Sequence, residues 1–233
     1  MAWGAETSTD DIEGEVTRHS NVTPSGNDID RVLEQFHGVI DQVPPDYSAI
    51  KIDGTRAYDL ARQVSAGQGS PALKPREVWI DQFWRLESNH AGARFFVGCG
   101  KGVYIRALAR DLGRVLGSAA HVISLRRLSV GQFHSDDAIS LEFLEKLTHS
   151  DAAFGHLHPV LSALDDIPAL RISRAEATKL RHGQALPALS ASAQQRFTTL
   201  MTGGTAIAVE GQTPVALVML KSGAICPVRV LNL

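Results

Sequence analysis

Lys101 stands between Gly100 and Gly102, and Tyr104 and Arg106 follow within five residues. Flanking glycines let the backbone come close to a phosphate, so Lys101 is the strongest single candidate for an anion contact. Arg106, Arg110 and Arg114 recur every four residues, which aligns them along one side of a helix. That spacing suits phosphate contacts, and it suits a solvated charged face equally well. Taken alone, Tyr104 reads as a packed, hydrogen-bonded tyrosine and Arg106 as an ordinary first-turn arginine. In a strand, Arg126 and Arg127 point to opposite faces, so at most one of them reaches a ligand directly. His156-x-His158 reads as a loop pair, because no third ligand stands at metal-binding spacing. Cys99 and Cys226 are far apart and form no C-x-x-C, which excludes a disulfide framework and a zinc site. No glycine-rich phosphate loop and no Ser-His-Asp order occurs.

These residues need a scaffold, and the chain has the material for one. Its 233 residues are 44% hydrophobic and 21% charged, the balance of a soluble globular protein and not of a disordered or fibrous one. The length predicts either one large domain or a large one carrying a small appendage. No apolar run reaches the roughly 20 residues that cross a bilayer, and the first residues are not a signal segment. A reducing, cytoplasmic setting is expected.

Formal net charge is only −2, but its distribution is lopsided. Met1 to Asp41 holds nine acids and two basic residues, a net of −7, whereas Val97 to Gly131 holds six basic residues and one acid, a net of +5. A local basic cluster on a near-neutral chain fits a protein that engages a polyanion on one face, or a solvated helix face.

Periodicity supplies the elements. Ile29, Val32, Leu33, Phe36 and Ile40 predict an amphipathic helix over 27–40, ended by Pro44-Pro45, and Gly54 to Arg62 a short second one. A loop over 67–75 leads to a β-hairpin of 76–86 and 93–99, rich in Val, Ile, Trp and Phe. The helix 104–116 carries Ile105, Leu108, Leu112 and Leu116 on one stripe and stops at Gly117. A strand over 122–130, a helix over 138–147 and a connector over 149–157 follow. The last part predicts a helix at 173–182 and strands near 205–210, 214–220 and 228–231. The expected fold class is α+β, with a mixed, largely antiparallel sheet over residues 1–150 and a small β domain over 157–233.

Three stretches are more specific than periodicity. They are Gln42-Val-Pro-Pro-Asp-Tyr-Ser-Ala-Ile-Lys-Ile-Asp-Gly-Thr-Arg-Ala-Tyr-Asp-Leu-Ala-Arg62, Lys101-Gly-Val-Tyr-Ile-Arg106 running on to Gly117, and His121-Val-Ile-Ser-Leu-Arg-Arg-Leu128 with Gly131 and Phe133. In this order and spacing the chain resembles the bacterial TruB family of tRNA pseudouridine synthases. Trp3-Gly4, Thr7, Thr9, Asp11 and Gly14 match the family's preceding segment. Leu164-Asp-Asp-Ile-Pro-Ala-Leu170 and Leu180-Arg-His-Gly183 resemble its PUA-like C-terminal domain.

The resemblance implies conversion of uridine 55 of the tRNA T-loop to pseudouridine, with no cofactor, by a monomer whose partner is the T-arm stem-loop. It implies that Arg106 pairs with a nucleophilic aspartate, that Tyr104 touches the base and relays the C5 proton, and that Leu125 walls the uracil pocket. It places Lys101, Tyr47, Lys51 and Arg126 on the RNA side. The family's catalytic aspartate lies in a Gly-x-Leu-Asp-Pro-like motif that this sequence does not contain. The expectation is therefore a pseudouridine synthase core cut short at its N-terminus, with Ala2-Trp3-Gly4 as the tail of a strand, an exposed strand edge and an apolar patch. Asp10 and Asp11 are expected in a solvated turn and are not substitutes for the nucleophile. The alternative from another class is a non-catalytic RNA-binding protein derived from such an enzyme.

Overall fold

Alternation of buried Val78, Ile80 and Phe83 with exposed Trp79 and Trp84 makes one long strand the spine of the first half of the molecule. The computed structural model describes residues 1–64, 73–147, 151–187 and 204–232. The chain divides into two units, Met1–Arg126 and Arg127–Leu233. The loop expected over 67–75 lies partly outside the described residues, as does the start of the connector at 149–150.

In the first unit the order is β1 (Ala2–Trp3), β2 (Ala5–Thr7), β3 (Val16–His19), α1 (Gly26–Leu33), β4 (Gly38–Gln42), β5 (Lys51–Ile52), β6 (Thr55–Arg56), α2 (Ala57–Val64), β7 (Arg76–Ser88), β8 (Ala93–Cys99), α3 (Ile105–Val115) and β9 (Ala120–His121). Strands β4, β7 and β8 form an antiparallel sheet, and β1–β9, β2–β3 and β5–β6 pair beside it. Helices α1 and α3 supply Ile29, Leu33, Leu108 and Leu112 to a core shared with Ile80 and Phe83. Phe36 meets Phe83 edge to face at 5.9 Å, the geometry that the ring quadrupoles favour.

The predicted helix over 27–40 is shorter than expected. It passes into a 3-10 turn at Glu34–Phe36, and Gly38 at φ +80° turns the chain into β4, so Ile40 alternates in a strand. The strand expected over 122–130 is also reduced. Ala120–His121 and Ser129–Val130 pair as strands, Val122 makes an isolated parallel bridge to Asp11, and residues 123–128 find no ladder partner among the described residues. Helix α3 matches its prediction. It approaches β9 so closely that a Cβ on Gly113 would lie 2.8 Å from that of Ala120, which makes glycine the residue that fits there.

The second unit contains β10 (Ser129–Val130), β11 (Phe133–His134), α4 (Leu141–Leu147), β12 (Ala169–Arg171), α5 (Arg174–Arg181), β13 (Leu186–Pro187), β14 (Thr205–Glu210), β15 (Thr213–Lys221) and β16 (Ala224–Val230). Five strands form one sheet in the order β12-β14-β15-β16-β13, parallel only between β12 and β14. Ser173 and Glu176 cap α5 reciprocally, satisfying two otherwise unpaired amides. Leu170, Leu180, Val215, Val218 and Ile225 close a core of their own. The fold class is α+β with largely antiparallel pairing, as expected.

Candidate functional site

The N-terminus of α3 gathers the chemistry. Tyr104 is its N-cap residue and offers no side-chain cap. The amide of buried Gln42 holds it instead: Tyr104 N donates to Gln42 Oε1 at 2.8 Å, and Gln42 Nε2 donates to the Tyr104 carbonyl at 3.2 Å. One side chain at the end of β4 thereby sets the first turn of α3. Gln42 opens the first motif in the sequence, but its type gave no sign of this task.

Arg106, two residues on, binds three oxygens. Its Nη1 donates to the Thr9 carbonyl at 2.8 Å and to Asp11 Oδ2 at 2.9 Å, and its Nη2 donates to the Tyr47 carbonyl at 2.9 Å. A guanidinium carries five N–H donors. Nε and one hydrogen on Nη2 therefore remain for a further oxyanion. Tyr47 enters the site through its carbonyl, and the next carbonyl, of Ser48, accepts the amide of Tyr58 at 3.1 Å. The helix, the 9–11 loop and the 47–48 segment thus converge on one guanidinium.

Arg110 and Arg114 do not form a solvated face. Arg110 Nη1 binds Asp10 Oδ2 at 2.8 Å and its Nε binds Asp111 at 2.9 Å, while Arg114 holds both oxygens of Glu6. Arg18 pairs with the same Glu6 carboxylate. Three successive turns of α3 are therefore matched to Asp11, Asp10 and Glu6, and the acidic N-terminal stretch is the counter-charge of the basic helix. Asp10 is buried, not solvated, and takes φ +60° to turn its carboxylate inward.

Burial acts differently on the three acids. It pushes Asp10 up to about 6, an effect that Arg110 offsets only partly. It also raises Glu6, but hydrogen bonds and charge from Arg114 and Arg18 outweigh it and hold that carboxyl below its ordinary value. For Asp11 burial is again outweighed, here by bonds from Thr9, the Glu13 amide and Arg106, so it stays below the usual range. A cavity of about 350 Å³ adjoins this ladder, lined by Glu6, Asp10, Asp46 and Asp111 among others. Its acidity makes it a poor receptor for phosphate.

The remaining predicted residues are exposed. Lys101 stands in the turn between β8 and α3, and Leu125 and Arg126 lie in the extended chain beyond β9. Lys51 pairs across the β5–β6 turn with Arg56, and the ring of Tyr58 is flanked by Arg56 and Arg62 at 5.8 and 5.5 Å. Sequence reasoning did not single out Arg56, Tyr58 or Arg62, although all three lie within the first motif. Phe143 and Phe133 pack edge-on against His156 and His158 respectively. No metal-holding group of His, Cys, Asp or Glu occurs among the described residues.

Comparison with known proteins supplies an independent line. Residues 1–105 match the family model "TruB family pseudouridylate synthase (N terminal domain)", and residues 106–167 match "tRNA pseudouridylate synthase B C-terminal domain". The chain is 44% identical over 240 residues to a tRNA pseudouridine synthase B of Bradyrhizobium diazoefficiens, covering 100% of this chain and 66% of that protein. It is 42% identical over 235 residues to one of Caulobacter sp. (strain K31), covering 100% of this chain and 74% of that protein. The chain thus spans about two thirds to three quarters of the length of these relatives. Among solved structures, a Cbf5-Nop10-Gar1 complex aligns with a TM-score of 0.62 at 21% identity, over 99% of this chain and 65% of that one. That likeness concerns the fold.

Proposed function

Since this chain belongs to the TruB family of pseudouridylate synthases, we propose that it acts on tRNA in the cytoplasm, as a monomer, isomerising uridine 55 of the T-arm. The reaction breaks the C1′–N1 bond, turns the base in place and rejoins it through C5. The observation that carries this reading is the anchoring of Arg106. Its guanidinium is fixed by three oxygens and keeps two donors free, which suits holding a carboxylate or phosphate in one orientation. Tyr104, two residues earlier and fixed through Gln42, touches the base and takes or relays the C5 proton. Leu125 walls the extruded uracil. Lys101, Lys51, Tyr47 and Arg126 form the RNA side, and residues 157–233 add a PUA-like RNA-binding domain.

A second reading is a protein that binds RNA without isomerising it. One observation favours it: both carboxylates of the loop that meets Arg106 are already committed, Asp11 to Arg106 and Thr9, and Asp10 to Arg110. The test is pseudouridine formation in a T-arm stem-loop RNA by the 233-residue chain at low salt. Product at position 55 establishes the isomerase and demands a carboxylate within these residues. Salt-sensitive binding without product establishes the RNA-binding protein. Neither binding nor product rejects both.

A further inference from the structure

On the sheet face turned away from α1 and α3, aromatic rings and carboxylates are interleaved. Trp79 is 52% exposed and lies opposite Val39, which is 61% exposed, across the β4–β7 ladder. Gly38 and Gly100 flank it: a Cβ on Gly38 would lie 3.9 Å from the indole Cζ3, and one on Gly100 would lie 3.5 Å from the Trp79 Cβ. With no side chain at either place, the indole is left uncovered. Further along the same face Trp84 stacks on Phe96, with centroids 4.6 Å apart and planes at 14°.

The charges that β4 and β7 present around Trp79 are acidic, and Lys101 stands at the rim, one residue beyond the Gly100 whose amide donates to the Trp79 carbonyl. Asp41 and Glu77 are directly opposed across the same ladder, and Asp81 follows two residues after Trp79 on that face. None of the three joins an ion pair among the described residues. Like charges opposed on neighbouring strands cost stability unless a cation lies between them. Neither cation of β7 serves: Arg76 alternates to the opposite face, and Arg85 is held by Asp30 on α1.

We propose that this face is a docking surface for a cationic, arginine-bearing segment of a partner protein. A guanidinium lying flat on the Trp79 indole gains a cation–π contact while its N–H groups reach the flanking carboxylates. Three carboxylates repel a phosphate backbone, so RNA does not fit. Two copies of the chain meeting through this face would set acid against acid, so a symmetric dimer does not fit either. The surface is independent of whether the chain isomerises uridine.

The test uses fluorescence anisotropy with labelled oligo-arginine and oligo-lysine peptides. The parent should bind the arginine peptide more tightly. The combined variant Asp41→Asn, Glu77→Gln, Asp81→Asn should lose roughly tenfold in affinity. Trp79→Ala should lose about threefold or more for arginine and less for lysine. A Glu13→Gln, Glu15→Gln variant, which removes exposed acids elsewhere, should bind as the parent does. Should the triple variant fail to fold, Trp79→Ala and Trp79→Phe decide the matter alone. Equal losses in all variants, or none, overturn the proposal. So does weaker binding of a T-arm stem-loop by Trp79→Ala, which would give the face to RNA. A concentration-dependent self-association abolished by the triple variant would give it to a second copy and overturn it as well.

Discussion

Arg106 acts through geometry more than through charge, and that distinction can be measured. Lysine at this position keeps the positive charge but cannot reach the Thr9 and Tyr47 carbonyls and Asp11 from one planar group. Arg106→Lys should therefore lower single-turnover pseudouridine formation by about a hundredfold while leaving RNA affinity nearly unchanged. Equal turnover in parent and variant would remove Arg106 from the chemistry. Asp10 makes a prediction of the opposite kind, about stability. Its folded pKa of about 6 lies above the ordinary 3.8, so the folded state binds the proton more tightly than the unfolded one. Its contribution is complete below the ordinary value and is lost as pH rises through about 6. Urea denaturation at pH 4 and pH 7 should show the parent gaining on Asp10→Asn at the lower pH, by up to about 3 kcal/mol. Glu6 and Asp11, whose pKa values are lowered, contribute stability that begins to be lost as pH falls below their ordinary values of 4.5 and 3.8. They do so in both proteins, so their effect cancels in the difference.

At the scale of elements, the site depends on how α3 is held at its start. Tyr104 supplies no side-chain cap, and Gln42 on β4 ties down both its amide and its carbonyl. Gln42→Ala should cost about 1–3 kcal/mol, because the part-buried Tyr104 amide loses its partner and the Tyr104 carbonyl keeps only the Leu108 amide. A lowered Tm together with impaired turnover would be the expected pair of readouts, and an unchanged Tm would deny Gln42 this role. The helix itself was legible from Ile105, Leu108, Leu112 and Leu116, and the β7–β8 hairpin from its alternation. The end of α1 was not legible. The spacing of Ile29, Leu33 and Phe36 extends naturally to Ile40, and only the left-handed turn at Gly38 reassigns Ile40 to a strand. Residues 122–128 carry a strand-like composition, yet among the described residues only Val122 finds a partner, in a single bridge to Asp11. Strand formation needs a partner ladder, which local sequence cannot supply.

For the whole molecule, the lopsided charge resolves into internal pairing. Arg106, Arg110 and Arg114 are matched by Asp11, Asp10 and Glu6; Arg110 and Arg114 are thereby largely withdrawn from phosphate binding, while Arg106 keeps Nε and one Nη2 hydrogen for a further oxyanion. The exposed cations left for RNA in the first unit include Lys51, Arg56, Lys101 and Arg126. Binding of a T-arm stem-loop should accordingly show a moderate salt slope. Lys101→Ala should reduce that slope by about one, whereas Arg114→Gln should leave it unchanged. Titrating affinity against salt for the two variants checks both halves of this statement.

Local chemistry was written in the sequence: the apolar stripe of α3, the hairpin, the glycine-flanked Lys101, and the three motif stretches that mark the family. These depend on residue type and short spacing, which folding does not rearrange. Which arginine would be buried and which left to solvent was decided only by tertiary structure, because Arg106, Arg110 and Arg114 are equivalent by periodicity. They became different when the 6–11 segment, about a hundred residues away in the chain, brought its carboxylates against the helix. Ion pairing over that separation is a property of the folded chain, since it forms only once the sheet and helices have brought the two segments together.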